Sequence, residues 1–182
     1  MKVVLIGVHG AGKTTLCELL SERLKLPIFP EHARFLLDIS KKDWREMTAA
    51  EWLMFESSTL FLISEQYHAG SFVADRTVLD PIGYLSVYAP RFRFSLLESV
   101  LHDKIISIAN SFVDRMQGQI DWLIYLKYRG SSLENKDDKE IAMLDEFFEH
   151  NVYRLQAKKL IMKKCREKSA EEMATEIAHE IK

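Results

Sequence analysis

A glycine-rich segment near the start of the chain has the residue types and spacing of a phosphate-binding loop. Residues 7–14 match the pattern G-x-x-x-x-G-K-[ST], whose backbone N–H groups surround phosphate oxygens. In such a loop the charge of Lys13 reaches the β- and γ-phosphates, and the Thr14 hydroxyl is a ligand for Mg²⁺. The segment therefore predicts ATP and Mg²⁺ as ligands. The predicted nucleotide-binding residues are Gly7, His9, Gly10, Ala11, Gly12, Lys13, Thr14 and Thr15.

Two further charged positions directly follow short apolar runs. Glu31 comes after Ile28–Pro30, and the pair Asp75-Arg76 comes after Phe72–Ala74. If both runs are parallel strands, their carboxyl ends lie at the sheet edge where open α/β sheets bind ligands. A structural role is the alternative: Glu31 as an acid at a helix N-terminus, and Asp75-Arg76 as a turn cap with a surface ion pair.

Together these three parts resemble the P-loop nucleoside and nucleotide kinases, in particular the deoxynucleoside kinase, thymidylate kinase and nicotinamide riboside kinase group. The resemblance implies that Glu31 contacts the acceptor hydroxyl and acts as its base. It also implies that Asp75 joins Thr14 at the metal and that Arg76 acts with Lys13 on the transferring phosphate. The implied function is ATP- and Mg²⁺-dependent transfer of the γ-phosphate to a hydroxyl of a nucleoside-like small molecule.

Three other side chains are weaker candidates for substrate binding. Arg34 lies one helical turn from Glu31 and either pairs with it or binds substrate. Gln66 lies where the related kinases place a base-reading residue, and the alternative is a solvent-facing glutamine. Arg129 belongs to a polar segment, 127–139, which we expect to be a mobile lid whose cations close over the phosphates.

The rest of the chain alternates apolar runs with helical periodicity. This alternation predicts an α/β fold, a three-layer αβα sandwich over a mostly parallel five-stranded sheet, in one P-loop NTPase-like domain over residues 1–182. The expected strands are Lys2–Ile6, Ile28–Pro30, Ser71–Ala74, Trp122–Leu126 and Leu160–Met162. The expected helices start near Lys13, span Met47–His68, Leu79–Tyr88 and Ser95–Met116, include Ile141–Leu155, and end with one that opens at the capping box of Ser169 and Glu172.

The composition excludes several other classes of protein. The chain has 25 Lys and Arg against 27 Asp and Glu, a formal net charge of −2, which gives no global reason to expect nucleic-acid binding. The local basic run over 158–168 is interpreted as a solvated strand edge, with contact to a phosphate or polynucleotide as the alternative. Cys17 and Cys165 are too isolated for a disulfide framework or a zinc site. No apolar stretch is long enough to span a bilayer. The isolated cysteines fit a reducing compartment, so we expect a cytoplasmic protein. The apolar long helices are compatible with packing in a homodimer as well as in a single core.

Other functions remain as alternatives. A nucleoside monophosphate kinase and a 5′-hydroxyl polynucleotide kinase use the same loop on different acceptors. A GTPase is suggested by Asn135–Asp138, which matches N-K-x-D, and by Asp80–Gly83, which matches D-x-x-G, although neither lies at a strand end. A non-catalytic ATP-binding regulator is the last alternative, and the presence of Lys13, Thr14 and Asp75 argues against it.

Overall fold

The computed structural model of the chain describes residues 1–128, 136–164 and 167–181, with backbone only at 136–138. Five strands alternate with seven α-helices along these residues. The strands are β1 (Lys2–Gly7), β2 (Ile28–Phe29), β3 (Phe72–Asp75), β4 (Trp122–Lys127) and β5 (Lys159–Lys164). The helices are α1 (Lys13–Leu24), α2 (His32–Ser40), α3 (Ala49–Gln66), α4 (Leu79–Tyr88), α5 (Leu96–Met116), α6 (Lys136–Asn151) and α7 (Ala170–Ile181).

The five strands form one sheet in the order β2-β3-β1-β4-β5, and every neighbouring pair is parallel. β1 and β3 are continuous apolar runs because a central parallel strand is covered on both faces. The helices flank the sheet in two groups, α1 with α7 and α3 with α4, α5 and α6. The predicted α/β sandwich over a mostly parallel five-stranded sheet is confirmed.

Local sequence signals fix where several helices begin. α3 opens with a capping box. The Thr48 hydroxyl oxygen accepts a hydrogen bond from the Glu51 backbone N–H, and the Glu51 carboxylate accepts one from the Thr48 backbone N–H. Ser95 and Glu98 form the same motif at the start of α5. In the parts of the chain that the structure describes, no helix is both long and apolar enough to cross a membrane.

The helix predicted over Ser95–Met116 is present as α5, but its apolar residues do not all face the core. Ile105, Ala109 and Val113 face the core, whereas Leu97 and Ile108 are exposed. The steps of four residues between the buried positions define the inner face, and Ile108 lies about 100° around the helix from its neighbour Ala109. Apolar residues at helical spacing in α5 therefore lie on more than one side of the helix, and only some of them are buried.

The polar segment 127–139 is shorter as a loop than the sequence predicts. Lys127 pairs in register with Lys164 as the last residue of β4, and α6 begins at Lys136. Backbone pairing in the sheet and the helical periodicity of α6 therefore extend into this segment from its two ends. Residues 129–135, which include Arg129 and Asn135, lie outside the described residues.

Candidate active site

The phosphate-binding loop connects the end of β1 to the start of α1. A Cβ atom on Gly7 would lie 2.6 Å from the carbonyl oxygen of Leu126 on β4, so no larger residue fits there without a shift of the sheet. Gly12 is the N-cap of α1 and has φ 86°, a left-handed conformation that favours glycine. The predicted strand-loop-helix context of the motif is therefore present, and it aims a helix N-terminus at the ligand position.

Lys13 is folded back over this loop. Its Nζ donates to the carbonyl oxygen of Val8 at 3.0 Å, and its side chain is buried. Burial and the charge of Arg76 lower the pKa of Lys13, while Asp75, Asp80 and Glu31 act in the opposite direction. Because the pKa of Lys13 is lowered overall, the nearby acids do not fully offset the cost of burying its ammonium group. A bound anion would supply the missing negative charge.

Thr14 and Asp75 come together where the loop meets the end of β3. The Thr14 hydroxyl donates to Asp75 Oδ2 at 2.6 Å, and the other carboxylate oxygen, Oδ1, is buried without a hydrogen-bond partner. Within the described ranges, no three His, Cys, Asp or Glu residues form a metal-binding group. One hydroxyl and one carboxylate nevertheless fit Mg²⁺, which keeps most of its ligands as water and phosphate oxygens.

Arg76 is the centre of a buried charge network. Its guanidinium group donates to Glu31 Oε1 and, at 3.3 Å, to Asp80 Oδ1, and it lies 5.1 Å from the centre of the Tyr84 ring. Asp80 also accepts from the backbone N–H of Thr77 at 2.7 Å. Arg76 itself has φ 109°, a backbone conformation that costs energy in any residue other than glycine. The surface ion pair considered for Asp75-Arg76 is therefore wrong, since both residues are buried.

Glu31 lies at the N-cap position of α2 but makes no side-chain capping bond to that helix. Burial raises the pKa of Glu31, but the charge and hydrogen bond of Arg76, with smaller contributions from Lys13 and Arg34, bring it below its usual value. The carboxylate is thus ionised and turned towards Arg76. Glu31 therefore has the position at a helix N-terminus that the structural alternative expects, but its side chain pairs with Arg76 and does not cap the helix.

The weaker candidates have different outcomes. Arg34 forms the ion pair with Glu31, at 3.8 Å between Nη2 and Oε2, yet its side chain is 61% exposed and lines the neighbouring cavity. Gln66 is buried and hydrogen-bonded to His32 at 3.3 Å, so a solvent-facing glutamine is wrong. It is covered because His32 of α2 packs over the end of α3. Arg129 is not described.

A cavity of about 280 Å³ adjoins Glu31 and Arg76. Helices α2, α3 and α4 contribute most of its wall, and His9 of the loop borders it. Its aromatic lining residues are Trp44, Trp52, Phe55, Tyr84 and Tyr88.

Glu56 and Asp80 also line this cavity, although the sequence analysis assigned neither to the site. The signal for Glu56 was an acid on the apolar face of α3, one helical turn after Trp52. For Asp80 the signal was an acid in the first turn of the helix predicted over Leu79–Tyr88.

Comparison with known proteins agrees with this architecture. A family model described as an AAA domain matches residues 2–104, more than half of the chain. No curated protein sequence matches.

Several solved structures share the fold. Deoxyadenosine kinase from M. mycoides, with dCMP and dCDP bound, has 19% identity and a TM-score of 0.68 over 100% of this chain and 98% of that one. NadR in complex with NR has 14% identity and a TM-score of 0.69 over 98% of this chain and 50% of that one. Shikimate kinase from Aquifex aeolicus vf5 has 16% identity and a TM-score of 0.53 over 100% and 96%. The chain therefore belongs to the AAA domain family and has the fold of the P-loop kinases.

Proposed function

We propose that the protein is an ATP- and Mg²⁺-dependent kinase that phosphorylates a hydroxyl group of a nucleoside-like small molecule. The observation that carries this proposal is the position of Glu31, a carboxylate with a side chain only 12% exposed, which borders both the phosphate loop and a cavity large enough for a small acceptor. Hydrolysis of a nucleotide or simple nucleotide binding needs no such cavity. The structural similarity to a deoxyadenosine kinase supports the nucleoside-like class of acceptor.

The loop and the ends of the strands supply the charge that phosphoryl transfer needs. Thr14 and Asp75 would hold Mg²⁺, which when bound neutralises the phosphate oxygens. Lys13 exchanges its bond to Val8 for phosphate oxygens of the nucleotide. Arg76, held by Glu31 and Asp80, presents its remaining N–H groups to the transferring group. Positioning and charge neutralisation are the main requirements of this reaction.

Glu31 would take the proton that the acceptor loses. A bond forms between the acceptor oxygen and the γ-phosphorus, and the bond from that phosphorus to the bridging oxygen breaks, so ADP leaves with the bonding electrons. The hydroxyl proton passes to Glu31. Its lowered pKa keeps the carboxylate ionised and able to accept a hydrogen bond at neutral pH.

The base assignment is tested by Glu31→Gln, which keeps the shape of the side chain and removes its ability to accept a proton. We expect kcat to fall by about 10²- to 10⁴-fold while ATP binding, measured by calorimetry, stays nearly unchanged. Glu65→Gln, on an exposed part of α3, is the control and should leave kcat unchanged. Unaltered turnover in Glu31→Gln would contradict the role of this residue.

A nucleoside monophosphate kinase is the second candidate, because Arg34 and Arg45 both line the cavity with side chains that are 61% and 54% exposed. Such cations suit an acceptor that carries a phosphate, and a phosphate acceptor needs no base. This candidate is favoured if a 5′-monophosphate is a better acceptor than its nucleoside and Glu31→Gln keeps its activity.

The remaining alternatives differ in what the protein does with nucleotide. Asp80 of the D-x-x-G match is engaged by Arg76 and Thr77, which leaves it no free role at a γ-phosphate. Selective thermal stabilisation by GTP over ATP would nevertheless favour a GTPase. Tight ATP binding without transfer to any nucleoside, monophosphate or 5′-hydroxyl oligonucleotide would favour a regulator.

A further inference from the structure

Glu56 is a buried acid without a hydrogen-bond or ion-pair partner among the residues that the structure describes. It lies in the middle of α3, is 4% exposed, and lines the cavity. No residue in the described part of the chain is within hydrogen-bonding or ion-pairing distance of its carboxyl group. The other buried acids of the described residues all have partners: Asp75 has Thr14, Asp80 has Thr77 and Arg76, Glu140 has Arg91, and Asp145 has Tyr125.

A buried carboxyl group loses its hydrogen bonds to water, and without a new partner this loss lowers the free energy of unfolding. At Glu56 no hydrogen bond from a described residue offsets the loss. Burial raises the pKa of Glu56 to about 8, against a smaller opposing effect of Arg76. At neutral pH the group is therefore mostly protonated, and it still carries an oxygen that accepts a hydrogen bond. A ligand in the cavity is the available source of the missing partner.

Thr59 repeats the same feature one helical turn further along α3. Its Oγ1 atom is buried without a hydrogen-bond partner, and the residue lines the same cavity. Residues three apart lie on one face of a helix, so Glu56 and Thr59 present two unpaired polar groups side by side. Trp52 and Phe55 border these groups, and Tyr84 faces the cavity from α4. Flat aromatic side chains beside polar groups suit a flat, polar ring.

We propose that Glu56, assisted by Thr59, determines acceptor specificity by binding an N–H group on a planar nitrogen heterocycle. The inference rests on the proposed kinase function, since it assigns the ring of the acceptor to α3 and leaves its hydroxyl group at Glu31 and Arg76. A polyol acid is disfavoured, because it has no N–H group to offer the accepting oxygens of Glu56 and Thr59. A nucleobase edge with an N–H donor fits the cavity chemistry.

Matched acceptors that differ in one N–H group test the proposal. The pairs are adenosine and purine riboside, cytidine and pyrimidin-2-one riboside, and thymidine and 3-methylthymidine, with shikimate as the polyol acid. For the best pair we expect at least a tenfold higher kcat/KM for the N–H-bearing member. Glu56→Ala should reduce this ratio to below twofold, whereas Glu56→Gln, which keeps an accepting oxygen, should retain it. Ser58→Ala, on the exposed face of α3, is the control.

Calorimetric binding of the same acceptors, without ATP, separates the two proposals. Phosphorylation without any N–H preference, a preference that survives in Glu56→Ala, or a preference for shikimate would overturn the role of Glu56 and leave the kinase intact. Binding that depends on the N–H group and on Glu56, with no transfer to any acceptor, would support the role of Glu56 and overturn the kinase. Absence of binding to every acceptor would overturn the specificity proposal.

Discussion

The charged side chains of this site are shielded from water together, and they interact with one another as one connected set. Arg76 is buried against Glu31 and Asp80, and Lys13 lies close enough for its pKa to respond to all three. Removal of one member leaves the others buried without their counter-charge, which costs more than the pair itself contributes. Glu56 stands apart from this set, because none of the described side chains forms a hydrogen bond or ion pair with its carboxyl group. Its cost should therefore be visible in the stability of the ligand-free protein.

The stability of the ligand-free protein should depend on pH through Glu56. The pKa of this group is about 8 in the folded protein and 4.5 in an ordinary environment. Between these values the folded state holds a proton that the unfolded state has released, so the free energy of unfolding falls as pH rises from about 5 to about 8. Glu56→Gln removes this loss, which is on the order of 4 kcal/mol for a shift of this size.

Urea denaturation of wild type and Glu56→Gln at pH 5, 6, 7 and 8 measures the effect. The charged groups that act on Glu56, Arg76 and Asp80, are present in both proteins, so their own titration largely cancels in the difference. Parallel stability curves for the two proteins would show that the carboxyl group finds a partner or water in solution.

The sequence was sufficient to predict where Glu31, Asp75 and Arg76 lie, because each follows an apolar run and the ends of parallel strands converge on one edge of the sheet. It was not sufficient for Glu56 and Asp80. Both lie within or beside helices, and their direction depends on how each helix is rotated about its axis. Packing against neighbouring elements decides that rotation, and the residue spacing of a hydrophobic helix such as α3 leaves it open.

Among the elements, α4 is packed tightly between neighbouring helices. It contacts α3, α5 and α6, and it carries Asp80 and Tyr84 to the cavity wall. A Cβ atom on Gly83 of α4 would lie 2.8 Å from Leu144 Cδ1 and 3.0 Å from Phe147 Cδ1, both on α6. The absence of a side chain at Gly83 therefore allows the two helices to approach closely.

Gly83→Ala should destabilise the protein despite the higher helix propensity of alanine. We expect a loss of about 1 to 3 kcal/mol from overpacking, reduced by up to about 1 kcal/mol of propensity gain. Thermal or urea denaturation measures the change, and acceptor KM should rise because α4 carries part of the cavity wall. Gly70→Ala is the control, since nothing lies within 4 Å of a Cβ atom there. Equal stability of the two variants would contradict close packing of α4 on α6.

At the scale of the whole molecule, the sheet joins distant parts of the chain. β1 pairs with β3 on one side and with β4 on the other, and Gly7 precedes its register partner Leu126 by 119 positions in the chain. The family model ends at residue 104, before β4, β5 and α7. The matched segment therefore lacks one neighbour of the central strand.

A fragment of residues 1–117 should consequently fail to fold as a cooperative unit. It would expose the edge of β1, which is buried in the full chain, and it would lose α7 from its contact with α1. We expect the full chain to unfold in one transition that coincides in near- and far-ultraviolet circular dichroism, and the fragment to show no such transition. A cooperative transition in the fragment would contradict the single-domain prediction for residues 1–182.

The close approach of Gly7 to Leu126 also bears on which changes the loop can tolerate during evolution. A Cβ atom on Gly12 would meet no neighbour, but the residue has a left-handed φ. A substitution there therefore strains only the local backbone and alters the loop. A substitution at Gly7 instead meets the backbone of β4 and disturbs the sheet. The first glycine of the motif is thus constrained by the architecture even where no nucleotide binds. A descendant that lost its catalytic role would be free to change Gly12 well before it was free to change Gly7.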